Sequence, residues 1–181
     1  MNKALWDAKT ITVLAKNREG LVVDIEMHWG LIPATYTGFV ESWEASTVNA
    51  RLETVADLPS FQNAWTLKRR VIIPVETYVQ KVSTGLNVFG GKPVAKKVAI
   101  TRADGKPFGV AGIYDHAKTM DGPILSVASL TRHPGPRMAK VHDREPVVVD
   151  FENWRAWLDG SDEVDLSTPW ADDAFELKPA R

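Results

Sequence analysis

Apolar and polar positions alternate along much of the chain. Thr10-Ile-Thr-Val-Leu-Ala-Lys16 carries β-branched residues at period two, the pattern of a half-buried strand, and Leu21 to His28 repeats it after the turn residues Asn17-Arg-Glu-Gly20. The pair reads as a hairpin that runs into Trp29-Gly-Leu-Ile-Pro33. The period changes at Leu58-Pro-Ser-Phe-Gln-Asn-Ala-Trp65: Pro and Ser stand at a helix start and Phe61 and Trp65 lie four apart on one face, which predicts a short helix. Short β-rich runs follow at Arg70 to Pro74, Tyr78 to Ser83, Val94 to Thr101 and Phe108 to Tyr114. The last two are joined by Arg102-Ala-Asp-Gly-Lys106, whose Asp-Gly predicts that they pair as a hairpin. Ile124 to Thr131 predicts another strand, Pro134 to Lys140 a short helix, and Pro146 to Val149 a strand entering a helix at Phe151 to Leu158. With no internal repeat and no linker, the elements predict a single domain of the α+β class over residues 1–158, a mainly antiparallel sheet that is curled or closed into a barrel, with short flanking helices. Residues 159–181 are acidic and dotted with proline, and read as a poorly ordered tail.

Composition narrows the function classes. A chain of 181 residues that is 44% hydrophobic and 25% charged is an ordinary globular protein, which excludes disordered, collagen-like and coiled-coil readings. The cysteine count is zero, which removes disulfides, zinc-thiolate sites, iron-sulfur clusters and cysteine nucleophiles and fits a reducing cytoplasm. No apolar run approaches the roughly 18 residues of a membrane span, and Met1 to Asp7 meets charge before any signal-peptide core forms, so no membrane partner and a cytoplasmic location are expected. His28, His116, His133 and His142 make no metal-binding pattern, and no nucleophile elbow, phosphate loop or dinucleotide fingerprint is present, so no metal and no cofactor is expected. The net charge of −1 conceals a split: Asp150 to Arg181 holds nine acids against three bases, which leaves the rest of the chain at +5. Basic residues gather at Lys68-Arg69-Arg70, Lys92, Lys96-Lys97, Arg102, Lys106 and from Arg132 to Arg144, which reads either as one positive face for phosphates or as solvated edges and loops.

Four short segments mix apolar and polar residues in a way that packing alone does not require. Trp29-Gly-Leu-Ile-Pro33 sets a large ring beside a glycine at a strand end, suited to stacking on a base or to plugging the core. Val48-Asn-Ala-Arg-Leu-Glu-Thr54 places Asn49, Arg51 and Glu53 at alternate positions, which face one way in an extended strand and form either a polar site or an internal Arg-Glu pair. Ile72-Ile-Pro-Val-Glu-Thr-Tyr-Val-Gln80 ends an apolar strand in Glu76 and Gln80. Val141-His-Asp-Arg-Glu-Pro146 sets His142 and Arg144 one strand period apart, an acid/base group beside a phosphate contact.

In this order, Trp29-Gly-Leu-Ile-Pro, Asn49-Ala-Arg-Leu-Glu-Thr, Ile72-Ile-Pro, Ala111-Gly-Ile-Tyr and His142-Asp-Arg-Glu-Pro resemble the signature of the SOS response-associated peptidase (SRAP) family, whose members recognise abasic sites in single-stranded DNA. The helix Pro59 to Trp65 and the turn Arg102 to Gly109 are similar to the phage-associated branch, and the likeness runs from about Thr10 to Leu158. The family exposes an amino-terminal cysteine whose amine and thiol capture the sugar aldehyde of an abasic site as a thiazolidine, with an asparagine, a glutamate and a histidine around it. The resemblance puts the asparagine on Asn49, the histidine on His142 and the glutamate on Gln80, sets Arg51 and Arg144 where the family holds phosphates, and sets Trp29 where an aromatic supports the displaced bases. An imidazole suits the proton transfer that opens the sugar ring, and guanidiniums suit a bent backbone.

The departures carry information too. There is no cysteine, the stretch before Trp29 is shorter than the family's, and Asn2 is not a substituted catalytic residue, so the amino-terminal catalytic segment is expected to be absent. Gln80 keeps the shape of a glutamate but cannot take a proton, and Glu76, four residues away in a strand, lies roughly 13 Å off. The expectation is therefore an SRAP-like monomer that binds single-stranded or gapped DNA at abasic sites in the DNA damage response, with Asn49, Gln80 and His142 as residual catalytic positions, Trp29, Arg51 and Arg144 as DNA contacts, and no covalent crosslink. The rival is a scaffold that binds a protein partner, a phage or host factor, with Arg51, Arg144 and His142 consumed by Glu53, Asp143 and Glu145.

Overall fold

The computed structural model describes residues 9–83 and 95–180, and readings that fall on Met1 to Asp7, Lys92 and Val94 lie outside them. In chain order the strands are β1 (Thr10–Lys16), β2 (Val22–Trp29), β3 (Asn49–Arg51), β4 (Arg70–Val75), β5 (Tyr78–Ser83), β6 (Ala95–Arg102), β7 (Phe108–Thr119), β8 (Gly122–Arg132), β9 (Glu145–Pro146), β10 (Val148–Val149) and β11 (Phe175–Pro179). The α-helices are α1 (Pro59–Thr66) and α2 (Trp154–Leu158).

The opening hairpin forms as the pattern predicts, in register from Thr10↔His28 to Lys16↔Val22. Its turn is closed by Asn17, whose Oδ1 accepts the N–H groups of Glu19 and Leu21, both at 2.9 Å. β1 then meets β4 at Leu14↔Ile72, β4 pairs β7, and β7 pairs β8 along Gly112↔Ser129 to Thr119↔Gly122. β8 returns to β2 in parallel at His28↔Ser126 and Trp29↔Val127, so the curled sheet closes into a barrel. Alternation then divides the side chains into two cores. Ile11, Val13, Met27, Val71, Ile73, Val110 and Val127 pack together from one set of positions. Ile72, Ala111, Ile113, Ala128 and Leu130 point the opposite way and pack with Phe61 and Ala64 of α1 and Trp157 and Leu158 of α2. On β7 a Cβ on Gly109 would sit 2.5 Å from the Trp154 ring, so only glycine lets that indole lie on the strand.

Three features differ from the sequence pattern. The turn at Arg102 to Lys106 forms, with the Gly105 N–H on the Arg102 carbonyl at 3.1 Å and Gly105 at φ +71°, but β6 and β7 do not pair. β6 lies between β5 and β11 in a separate three-stranded sheet, because Asp-Gly specifies a local reversal and not the partner of the strands that flank it. The strand expected to stop at Tyr114 runs on to Thr119. The acidic stretch after Leu158 does not hang free: Phe175–Pro179 pairs with β6 from Phe175↔Arg102 to Pro179↔Val98, and the Phe175 ring packs edge-on against Phe108 with centroids 5.4 Å apart. Among the described residues, no helix is long and apolar enough to cross a membrane.

Candidate nucleic-acid interface

Strand β8 organises the site. Its Ser126 is buried, and its Oγ accepts the Ile32 N–H at 2.8 Å, which anchors the segment Trp29 to Pro33 after Gly30 has turned at φ +119°. Trp29 is partly buried against the apolar interior of the barrel, so its indole is at least in part a core group. Strand β3 lies parallel to β8 with Asn49↔Ser129 and Arg51↔Thr131, which places Asn49 and Arg51 on one face with Ser129 and Thr131. Asn49 Oδ1 accepts the Ser129 hydroxyl, and its amide NH2 is left without a protein partner among the described residues. Arg51 is exposed, and its guanidinium has neither hydrogen bond nor ion pair among the described residues.

Arg144 reaches the same face from the segment before β9. Its Nη2 donates to the Thr131 carbonyl at 2.7 Å and to Thr131 Oγ1 at 3.3 Å. The guanidinium fork closes on Glu53, Nη1 to Oε1 at 3.0 Å and Nη2 to Oε2 at 2.7 Å. Glu53 does not share a strand with Asn49 and Arg51 as the alternation suggested: after Leu52 N–H meets the Thr131 carbonyl at 2.8 Å the ladder ends, and Thr54 N–H turns back onto Arg51 at 3.1 Å. Glu53 Oε1 also accepts the His133 N–H at 3.1 Å and lies 3.5 Å from His133 Nε2. The hydrogen bonds from Arg144, helped by backbone donors and by the positive charge, hold the Glu53 carboxyl down to about 2 against the opposing effect of burial. The segment that carries Arg144 is fixed at the next residue by a buried pair, Arg132 Nε to Glu145 Oε1 at 2.9 Å, so Glu145 is taken by Arg132 and not by Arg144.

His142 joins the patch through the backbone. Its Nδ1, when unprotonated, accepts the Arg144 N–H at 3.0 Å and, when protonated, faces Asp143 Oδ1 at 3.0 Å and the Arg144 carbonyl at 3.3 Å. Gln80 is the residue not brought in by any such contact. It stands on β5 of the small sheet, where its Oε1 accepts the Tyr78 hydroxyl at 2.5 Å, and among the described residues no hydrogen bond or ion pair links it to Asn49, Arg51, His142 or Arg144.

The positive face suggested by clustered bases is neutralised in part. Lys68 pairs with Asp162, Arg69 with Asp115, Arg102 with Asp104 and Arg132 with Glu145. Arg137 donates to the Asp172 carbonyl, and Arg70 is buried with its Cζ 3.8 Å from the Trp65 ring and 4.5 Å from the Trp157 ring. Each of these six bases has a carboxylate, a carbonyl or an aromatic ring close by in space, which a count of charges along the chain does not see. Sequence reasoning passed over Ser129 and Thr131. The available signal was their spacing, two apart and polar in an otherwise apolar strand.

A family model described as SOS response associated peptidase (SRAP) matches residues 4–180. The abasic site processing protein YobE of Bacillus subtilis is 31% identical over 135 residues, 74% of this chain and 57% of that protein. The abasic site processing protein YoqW of Bacillus phage SPbeta is 30% identical over 135 residues, 74% of this chain and 56% of that protein. The matched stretch thus spans little more than half the length of these relatives. A crystal structure of a protein from Bordetella bronchiseptica superposes with a TM-score of 0.82 at 26% identity, covering 95% of this chain and 84% of that one.

Proposed function

The chain belongs to the SOS response-associated peptidase family, and from that premise we propose that it binds single-stranded or gapped DNA at abasic sites, in the DNA damage response, without a covalent crosslink. The observation that carries the reading is the patch on β3 and β8: the Asn49 amide, the Arg51 guanidinium, unpaired among the described residues, and the Arg144 guanidinium meet around Ser129 and Thr131 from two separate motifs, and the His142 imidazole is joined to Arg144 through the backbone. The roles follow from the groups. Arg51 is the open cation for a backbone phosphate, Arg144 a second phosphate ligand, and Asn49 presents amide donors to sugar or phosphate oxygens. His142 offers an imidazole for proton exchange with a ring-opened sugar, and the exposed part of the Trp29 ring is offered for stacking. Gln80, at the position where the resemblance puts the family's glutamate, cannot act as a proton acceptor, and its oxygen is taken by the Tyr78 hydroxyl.

The test is a titration of labelled single-stranded and duplex oligonucleotides, with and without an abasic site, at two or more salt concentrations. Binding is expected to be modest, to favour single strands and to weaken with salt. Arg51→Ala is expected to flatten the slope of log affinity against log salt by roughly 0.7, one phosphate contact on a single strand. No binding by the parent at low salt would overturn the DNA reading.

The chain has no cysteine, so it has no vicinal amine and thiol from which to build a thiazolidine. Incubation with abasic-site DNA is therefore expected to leave no species that survives heat and detergent. A shifted band on a denaturing gel in the absence of reductant would contradict this. The protein-scaffold alternative draws support from the bidentate engagement of Arg144 by Glu53, and it becomes the preferred reading if the titration is flat.

A further inference from the structure

We infer that Glu53 is a specificity-determining residue of this interface: its carboxylate occupies the guanidinium fork of Arg144 in the way a phosphate would, so Arg144 engages DNA only where a phosphate is delivered well enough to displace it. The inference rests on the DNA-binding reading above. A guanidinium presents a planar pair of N–H donors that fits a carboxylate and a phosphate equally well, and at Arg144 that pair is filled by the two oxygens of Glu53 at 3.0 and 2.7 Å.

The rest of the Arg144 head offers no second approach. Nη2 is also held by the Thr131 carbonyl at 2.7 Å, and Nε is buried with no hydrogen-bond partner, out of reach of a ligand. The Arg144 side chain is only 15% exposed, whereas that of Glu53 is 35% exposed and stands on a turn past the end of β3. The carboxylate is therefore the partner that can leave. It also has somewhere to go: the His133 N–H at 3.1 Å already holds Oε1, and the His133 ring, largely exposed, lies 3.5 Å from the same oxygen.

A flexible undamaged strand drifting onto the patch meets one open cation, Arg51, beside a neutralised pair. A strand whose backbone is bent sharply enough to press a phosphate onto Arg144 gains a second contact. The ion pair thus works against plain single strands and in favour of distorted ones.

The test is Glu53→Gln, which keeps the shape and an acceptor for Arg144 but removes the competing charge. Affinity for an unmodified single-stranded oligonucleotide is expected to rise roughly tenfold at low salt, with a salt slope steeper by about 0.7, and the preference for abasic over unmodified strands is expected to shrink. The gain has to vanish in Glu53→Gln/Arg144→Gln; if it persists, it does not run through Arg144 and the inference is overturned. Glu53→Asp, one methylene short of the fork, is a second variant with the same expected direction should the glutamine form fail to fold by thermal unfolding. If the folded variants bind the plain strand no more tightly than the parent while Arg51→Ala still flattens the parent's slope, the gating role of Glu53 is wrong and the DNA reading stands. If parent and variants alike fail to bind at low salt, both fall together.

Discussion

Asp115→Ala is expected to destabilise the protein by about 3–5 kcal/mol, the cost of leaving partners of a buried charge uncompensated. Asp115 is fully buried near the middle of β7. Its carboxylate accepts the N–H of Ala34 at 2.9 Å, the amide of Asn63 at 3.1 Å and the N–H of His116 at 2.8 Å, and it forms an ion pair with Arg69. One side chain therefore ties the segment after Trp29-Gly-Leu-Ile-Pro33, helix α1 and the base of β4 to the barrel wall. The Arg69 side chain is 27% exposed and can turn toward water, which favours the lower end of the range. A domain with total stability of about 5–15 kcal/mol would lose a large fraction of it. Urea unfolding read by circular dichroism measures the loss. Asp115→Asn, which retains acceptors, should fall between parent and alanine, and a loss below about 1 kcal/mol for alanine would mean that water replaces the carboxylate without difficulty.

Trp157→Ala should cost a similar amount, about 3–5 kcal/mol, for a different reason. Trp157 is 1% exposed and is the largest fully buried side chain among the described residues, and its Nε1 donates to the Val71 carbonyl at 2.8 Å. It also forms one side of the cage around Arg70, whose Nε and Nη1 have no hydrogen-bond partner and whose pKa is pushed by burial down to about 10. Removing the indole opens a cavity, orphans a carbonyl on a central barrel strand and takes away one of the two rings that face a buried cation. In a domain of this size the midpoint of thermal unfolding should fall by roughly 10 °C. Trp157→Phe separates the contributions: it keeps most of the volume and loses the hydrogen bond, so its loss should be clearly smaller. Equal losses for Phe and Ala would place the whole effect in the indole N–H.

Much of this architecture is legible along the chain because strands that are half-buried have to alternate. The opening hairpin, α1 and most of the barrel strands follow from that rule and from turn chemistry. Closure is not legible in the same way, since it rests on two parallel pairs, His28↔Ser126 and Trp29↔Val127, between segments far apart in sequence. Asp115 shows the limit of propensity: an aspartate argues against a strand, yet four polar partners hold it inside one, so β7 runs past the point where the pattern stops. Asn49, Arg51, His142 and Arg144 stand out in the sequence by motif order; Asn49, Arg51 and Arg144 lie at Ser129 and Thr131 of β8, and His142 is joined to Arg144 through the backbone. What motif order does not reveal is occupancy. That Arg144 is engaged by Glu53, while Glu145 of the adjacent position turns to Arg132, depends on where β3 ends and on which side of β8 the strand β9 lands.

Strand β11 has a bearing on how the chain reaches its fold. Because β6 pairs with β5 on one side and waits for Phe175–Pro179 on the other, its second edge stays open until the distal segment arrives, long after the barrel strands have been synthesised. A nascent chain therefore passes through a stage with an unpaired edge, a template for pairing with a neighbouring molecule. Loop-closure entropy makes that late docking slow in comparison with the local hairpins.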